Sequence, residues 1–226
     1  MVELTPLRFE VDGSAEVSAL FNRPAKARSI LVLAHGAGAG MSHPFMENLS
    51  SQLAHVGLAT LRYQFPYMEE RRRIPDPTPF LTATVAAAVR KASEMDAGIP
   101  VLAGGKSMGG RMTSQAAAEG RLEGATGLVF FGFPLHPPNR PGTKRADHLA
   151  KVSLPMLFLQ GTRDAFADLE LLRPIVAKLG ARATLHIVDG ADHSFHVPKR
   201  SGKTEADILA ELAEATSSWV HNLSKR

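Results

Sequence analysis

Residues 99–110 read Ile-Pro-Val-Leu-Ala-Gly-Gly-Lys-Ser-Met-Gly-Gly. The apolar run 99–103 ends at two glycines, and a helix-forming segment, 107–118, begins at Ser107. Across the junction lies Gly105-x-Ser107-x-Gly109, the pattern of a sharp strand-to-helix turn that lifts a serine above a sheet. The glycines answer a steric demand. A chain that changes from strand to helix within one residue brings the positions two before and two after the serine against neighbouring backbone, where a Cβ would collide. The same turn puts Ser107 at a helix N-terminus, whose unpaired N–H groups favour developing negative charge. Gly105-Lys106-Ser107 also matches the end of a nucleotide-binding loop, but Pro100 stands where that loop needs its first glycine, so the nucleotide reading fails.

Outward from this junction, short apolar runs alternate with longer helical stretches. The runs are 30–34 (ILVLA), 58–63, 99–103, 128–133 (LVFFGF), 155–159 and 184–188. Their continuous hydrophobicity predicts strands buried on both faces, as in a parallel sheet covered by helices. Residues 7–11 and 15–21, split by Asp12-Gly13, predict an antiparallel hairpin at the sheet edge. About eight strands follow, in an α/β fold with helices on both faces. Helix signals lie between them. Pro44 opens one helix, residues 80–95 form an Ala-rich one, and 168–179 ends at Gly180. A last helix begins at Thr204 with Asp207 three residues on, a capping-box spacing, and carries Trp219 as a core anchor. No repeat or linker divides residues 1–226, which predicts a single domain.

A serine hydroxyl needs a base, and the base needs an orienting acid. His193 follows the last predicted strand in the turn-rich run 189–195 (DGADHSF) and is the expected base, with His196 as runner-up. After the run 155–159 comes Gln160-Gly161-Thr162-Arg163-Asp164, a strand end, a glycine turn and a carboxylate. Asp164 is therefore the expected acid; Asp168 reads as a helix cap and Asp192 as a loop residue. The order Ser107, Asp164, His193 matches the order of such sites on α/β sheets. The first long strand ends in His35-Gly36-Ala37-Gly38-Ala39-Gly40 at the carboxyl end of a central strand, where α/β sheets bind ligands. The N–H groups of Ala37 and Met108 are the expected oxyanion donors, and His35 is expected to brace the loop.

Composition narrows the chemistry. Cysteine is absent, which excludes disulfides, thiolate metal sites and a cysteine nucleophile. His193 and His196 have metal-pair spacing but no third ligand, so no metal or other cofactor is expected. The net charge is +4. Its densest cluster, Arg71-Arg72-Arg73, follows Glu69-Glu70 in a proline-rich loop and reads either as a solvated loop or as a contact for an acidic substrate group, not as a nucleic-acid surface. Residues 1–21 hold Glu3, Glu10, Asp12 and Glu16 where a signal peptide needs an apolar run, and no stretch of about 18 apolar residues occurs. No membrane association and a cytoplasmic location are expected.

With these elements in order, the chain resembles the α/β-hydrolase superfamily over essentially its whole length. More narrowly it is similar to the small cap-less, dienelactone-hydrolase-like group, which also includes the hydrolase-like domain of a histone-acetyltransferase complex subunit. The strings that carry this are His35-Gly36-Ala37-Gly38 with Phe45-Met46, Phe65-Pro66-Tyr67-Met68-Glu69, 104–111 (GGKSMGGR), Phe133-Pro134-Leu135-His136-Pro137-Pro138, and Gly161-Thr162-Arg163-Asp164. Dienelactone hydrolases themselves use cysteine where this chain has Ser107. The resemblance implies hydrolysis of a small-molecule acyl substrate through Ser107, the alternative being a catalytically silent scaffold for protein interaction. Residues 133–152 are too few for a lid domain, so the cleft is expected to be open. Its expected substrate contacts are Phe45, Tyr67, His136 and Phe166, with Arg72 and Arg111 available for a carboxylate or phosphate.

Overall fold

The computed structural model describes residues 2–13 and 15–223. The elements run β1 (Val2–Val11), β2 (Ala15–Pro24), β3 (Ser29–Ala34), α1 (Pro44–His55), β4 (Leu58–Tyr63), α2 (Pro66–Glu69), α3 (Thr78–Met95), β5 (Val101–Lys106), α4 (Met108–Ala118), β6 (Ala125–Phe131), β7 (Met156–Gly161), α5 (Leu169–Leu179), β8 (Ala183–Val188) and α6 (Glu205–Leu223). Eight strands form one sheet in the order β1-β2-β4-β3-β5-β6-β7-β8. β1 pairs with β2, and β2 with β4, antiparallel; every other pairing is parallel. The edge hairpin is as expected: Val11 pairs with Ala15 across a turn that starts with Asp12 (φ +46°) and Gly13 (φ +68°).

The uninterrupted apolar strands have a simple cause, since successive side chains enter two different cores. Ile30, Val32 and Ala34 of β3 pack with buried residues of α3, α4 and α5 on one face. Leu31 and Leu33 pack with Met46, Leu49 and Leu53 of α1 and with Ile208, Leu209 and Leu212 of α6 on the other. Trp219 is buried in that second core. The capping box at the start of α6 is formed, with the Asp207 carboxylate accepting from Thr204 N at 2.7 Å and Asp207 N donating to Thr204 Oγ1 at 3.1 Å.

One boundary departs from the sequence reading. The strand expected at 99–103 runs from Val101 to Lys106, so Gly104 and Gly105 belong to the sheet and not to a preceding turn. Both pair on two sides, Gly104 with Leu33 and Val129, and Gly105 with Ala34 and Phe130. Their glycine character reflects crowding inside the sheet as well as the turn beyond it. Between β6 and β7, residues 132–155 hold only a 3₁₀ segment, Lys144–Lys151, and no cap domain covers the carboxyl ends of the strands.

Candidate active site

Ser107 lies between β5 and α4 with φ +52° and ψ −117°, a conformation that L-residues rarely adopt. Crowding enforces it. A Cβ at Gly105 would lie 2.6 Å from the Ala34 carbonyl oxygen, and one at Gly109 would lie 2.5 Å from the same atom. α4 can therefore start flush against β3 only because both positions are glycine.

The structure brings the three residues expected at the site together. The Ser107 hydroxyl lies 2.8 Å from His193 Nε2. His193 Nδ1 lies 2.7 and 2.9 Å from the two carboxylate oxygens of Asp164. The arrangement that satisfies all partners puts the imidazole proton on Nδ1, facing the carboxylate, and leaves Nε2 free to accept from serine. Asp164 is held in turn, accepting from Phe166 N at 2.7 Å and from Gln160 Nε2 at 2.5 Å. The Phe166 ring stacks on the imidazole at 4.2 Å and fixes its plane. His196 is half on the rim, 3.1 Å from Glu205, and makes no contact with Ser107. Asp168 caps α5 by accepting from Glu170 N, and Asp192 accepts from Ser194 N and His196 N within its own loop.

The loop after β3 turns tightly beside Ser107. Ala39 N donates to Gly36 O at 3.3 Å, and Gly38 takes φ +74°, the requirement of the third position of such a turn. Buried His35 braces it, donating from Nδ1 to Gly36 O at 2.8 Å and accepting from Phe65 N at its Nε2 at 3.1 Å. The N–H groups of Ala37 and Met108 have no acceptor among the described residues, and Met108 opens α4, where first-turn N–H groups are unpaired by construction.

Burial lowers the His35 pKa to about 4. The sign follows. The unfolded chain protonates this imidazole near pH 6.5 while the folded protein holds it neutral to about pH 4, so the unfolded state binds more protons across that window. Stability is therefore lost as pH falls from 6.5 towards 4, by about 3 kcal/mol from this group. In urea denaturation at pH 7 and pH 4.5, the His35→Asn variant should be weaker at pH 7 but lose less on acidification than the wild type. Equal pH slopes for the two proteins would count against this account.

The cleft above Ser107 has a volume of about 460 Å³. Phe45 and Phe195, stacked at 5.8 Å, form one wall, and Phe166 and Leu209 also line it. Of the six expected substrate contacts, Phe45 and Phe166 are therefore at the cleft, and four are elsewhere. Tyr67 is fully buried beneath the His35 loop, stacked on Phe65. Its hydroxyl faces the Gly38 N–H without reaching hydrogen-bond geometry. Arg72 is tied to Glu70 and Asp76 at 2.6 and 2.5 Å, and Asp76 accepts from Tyr67 N, so the arginine pins its own loop. His136 is buried behind Phe166, its Nε2 accepting from Asp168 N at 3.0 Å. Arg111 points from α4 into a separate depression. These side chains lie near the right end of the sheet, but burial of Tyr67 and His136 and the ion pairs of Arg72 keep them from the cleft.

Lys106 lies inside the G-x-S-x-G motif, and the motif itself assigns it no role. Its side chain enters the cleft, where the ammonium donates to the His193 carbonyl and sits 5.7 and 5.4 Å from the centres of the Phe45 and Phe195 rings. Burial brings its pKa down to about 8, with Asp164 and Asp192 opposing the shift. It ties the loop that carries His193 to the strand that carries Ser107. Gln160 was likewise unassigned; a polar residue closing the apolar run of β7, four residues before Asp164, was its only signal. Among the described residues no cluster of His, Cys, Asp or Glu fit to hold a metal occurs, and no helix is long and apolar enough to cross a membrane.

Comparison with known proteins agrees with this fold. Two curated proteins from strains of Mycobacterium tuberculosis, provisionally named phosphoribosyl transferases, are 30% identical over 222 residues, 95% of this chain. The match takes up 46% of their length, so the chain spans about half of the curated relatives it matches. Among solved structures, the dienelactone hydrolase of Anabaena variabilis superposes with a TM-score of 0.77 at 22% identity, covering 98% of both chains. A lidless α/β serine hydrolase from Xanthomonas campestris gives 0.76 at 18% identity over 96% of this chain and 95% of that one. Est1E of Butyrivibrio proteoclasticus gives 0.73 at 16%, over 98% and 99%. Residues 27–221 match the family described as the alpha/beta hydrolase domain. The chain is thus a member of the alpha/beta hydrolase domain family, with the small cap-less fold of the dienelactone-hydrolase-like type.

Proposed function

We propose that the protein hydrolyses small or medium acyl esters through a covalent acyl-enzyme on Ser107. The observation that carries this reading is the continuous chain Ser107–His193–Asp164, with each link at 2.7–2.9 Å. As Ser107 Oγ attacks the ester carbonyl carbon, its proton passes to His193 Nε2, and Asp164 holds the imidazolium that forms. The carbonyl oxygen, now negative, faces the Ala37 N–H of the loop after β3 and the Met108 N–H at the start of α4. His193 then returns the proton to the leaving alkoxide, and water repeats the sequence to free Ser107. The aromatic walls of Phe45, Phe166 and Phe195 suit an apolar acyl or alcohol group, and a volume of about 460 Å³ falls within the range of small-molecule sites. The transferase name belongs to proteins about twice as long, and the groups assembled around Ser107 are those of acyl transfer to water.

The test is a series of p-nitrophenyl esters of increasing acyl length, followed by stopped flow. A burst of nitrophenolate equal to the enzyme concentration, then a slower steady rate, is the expected result. Absence of turnover across the series, with a partner protein captured equally by wild type and Ser107→Ala, would favour the silent scaffold.

A further inference from the structure

A second depression, about 410 Å³ in volume, lies between α4 and the segment that replaces a cap. Arg111 of α4 and Arg140, Lys144 and Arg145 of the segment converge on it, and no carboxylate lines it. Six arginines elsewhere on the molecule are ion-paired. Arg8, Arg23, Arg62, Arg72, Arg90 and Arg121 each have a carboxylate within 4 Å, whereas among the described residues none of these four does. Arg111 is partly buried, and burial together with the neighbouring Arg145 charge lowers its pKa. His148 adds no charge of its own, since burial and Arg111 keep it neutral, and its Nε2 is bonded to Ser114 Oγ at 2.7 Å. Asp147, the carboxylate nearest in sequence, lies outside the lining.

Two like charges brought together and half removed from water are costly unless an anion joins them. Gln115 also lines the depression, with its Oε1 closed off from solvent. Leu135 and Pro137 supply an apolar wall. We propose that this depression is a binding site for the phosphate group of a small organic phosphate monoester, gripped by Arg111 and Arg145, with Arg140 and Lys144 at the exposed mouth. Paired guanidinium forks fit the three oxygens and double charge of a phosphate better than the single charge of a carboxylate. The volume lies within the range for small-molecule ligands, which leaves room for an organic portion against Leu135 and Pro137. Arg111 sits about one helical turn beyond Ser107, but the site is separate from the acyl cleft and does not rest on the hydrolase reading.

Calorimetric titration with glycerol 3-phosphate, inorganic phosphate and acetate at constant ionic strength tests it. Saturable binding of glycerol 3-phosphate is expected, weakened roughly 10- to 100-fold in Arg111→Met and in Arg145→Met. Lys144→Met, at an exposed position that cannot unfold the core, should weaken it less, and Arg90→Met, ion-paired far away on α3, should not change it. Ser107→Ala should bind as the wild type does, which separates this site from the cleft. Equal affinity for inorganic phosphate supports a site that reads the phosphate alone, and tighter binding of the ester supports use of the apolar wall. Failure of both phosphates to saturate, a preference for acetate, or unchanged binding in the Arg111 and Arg145 variants would overturn the proposal.

Discussion

Ser107→Ala should lower kcat for p-nitrophenyl ester hydrolysis on the order of 10⁶-fold and abolish labelling by a fluorophosphonate probe. Nothing else near the ester can replace the lost atom. The chain has no cysteine, and Ser194, the other serine at the cleft, follows His193 in the same loop and makes no hydrogen bond to its imidazole. Stability should barely move, because the substitution removes one hydrogen bond to His193, worth about 1 kcal/mol, and alanine meets the same positive φ as serine. The residual rate should remain above that of water alone, since the Ala37 and Met108 N–H groups and the aromatic walls are untouched. A substrate Kd close to the wild-type KM, measured with the inactive variant, would place the defect in the chemical step. Retention of activity within tenfold of wild type would remove Ser107 from the mechanism.

Much of this site was legible because its parts obey local rules. The G-x-S-x-G junction, the glycine run after β3 and the carboxylate after β7 each follow a buried strand, and in a parallel sheet all such strand ends meet on one edge. The glycine turn directly after β7 favours Asp164 over Asp168, which reads as a helix cap, and His196 stands as runner-up to His193 in the same loop. Side-chain direction was less legible. Arg111 and Arg72 lie close in sequence to residues of the site, yet one lines a separate depression and the other is held by Glu70 and Asp76. Lys106 is illegible for the converse reason. A charged residue between two motif positions reads as solvent-facing, and only the packed structure shows it folded between Phe45 and Phe195 to reach the His193 carbonyl.

The second large effect separates glycines that hold the sheet from those that hold the site. A Cβ at Gly104 would be driven into the Val129 carbonyl oxygen of the neighbouring strand, and β5 is bounded by β3 and β6 on both sides, so neither strand can retreat. Gly104→Ala should cost about 4 kcal/mol or more, at the upper end for single substitutions, and leave little folded protein at 37 °C. At Gly161 the added carbon would meet the Ala191 carbonyl oxygen instead, which belongs to the loop carrying His193. That loop is held by few backbone bonds, among them Arg163 N to Ala191 O at 2.9 Å, and it can move outward at a smaller cost of about 1–3 kcal/mol. Moving it stretches the 2.7 Å link between Asp164 and His193, because the acid stays with β7 while the base leaves with the loop. Gly161→Ala should therefore fold, with a circular dichroism spectrum like the wild type, yet lose at least about 100-fold in kcat, since misplacement by about 1 Å is enough for that. Urea midpoints and kcat measured on both variants decide the matter. Equal loss of stability in the two, or full activity in Gly161→Ala, would mean that the β7–β8 edge is no more compliant than the centre of the sheet.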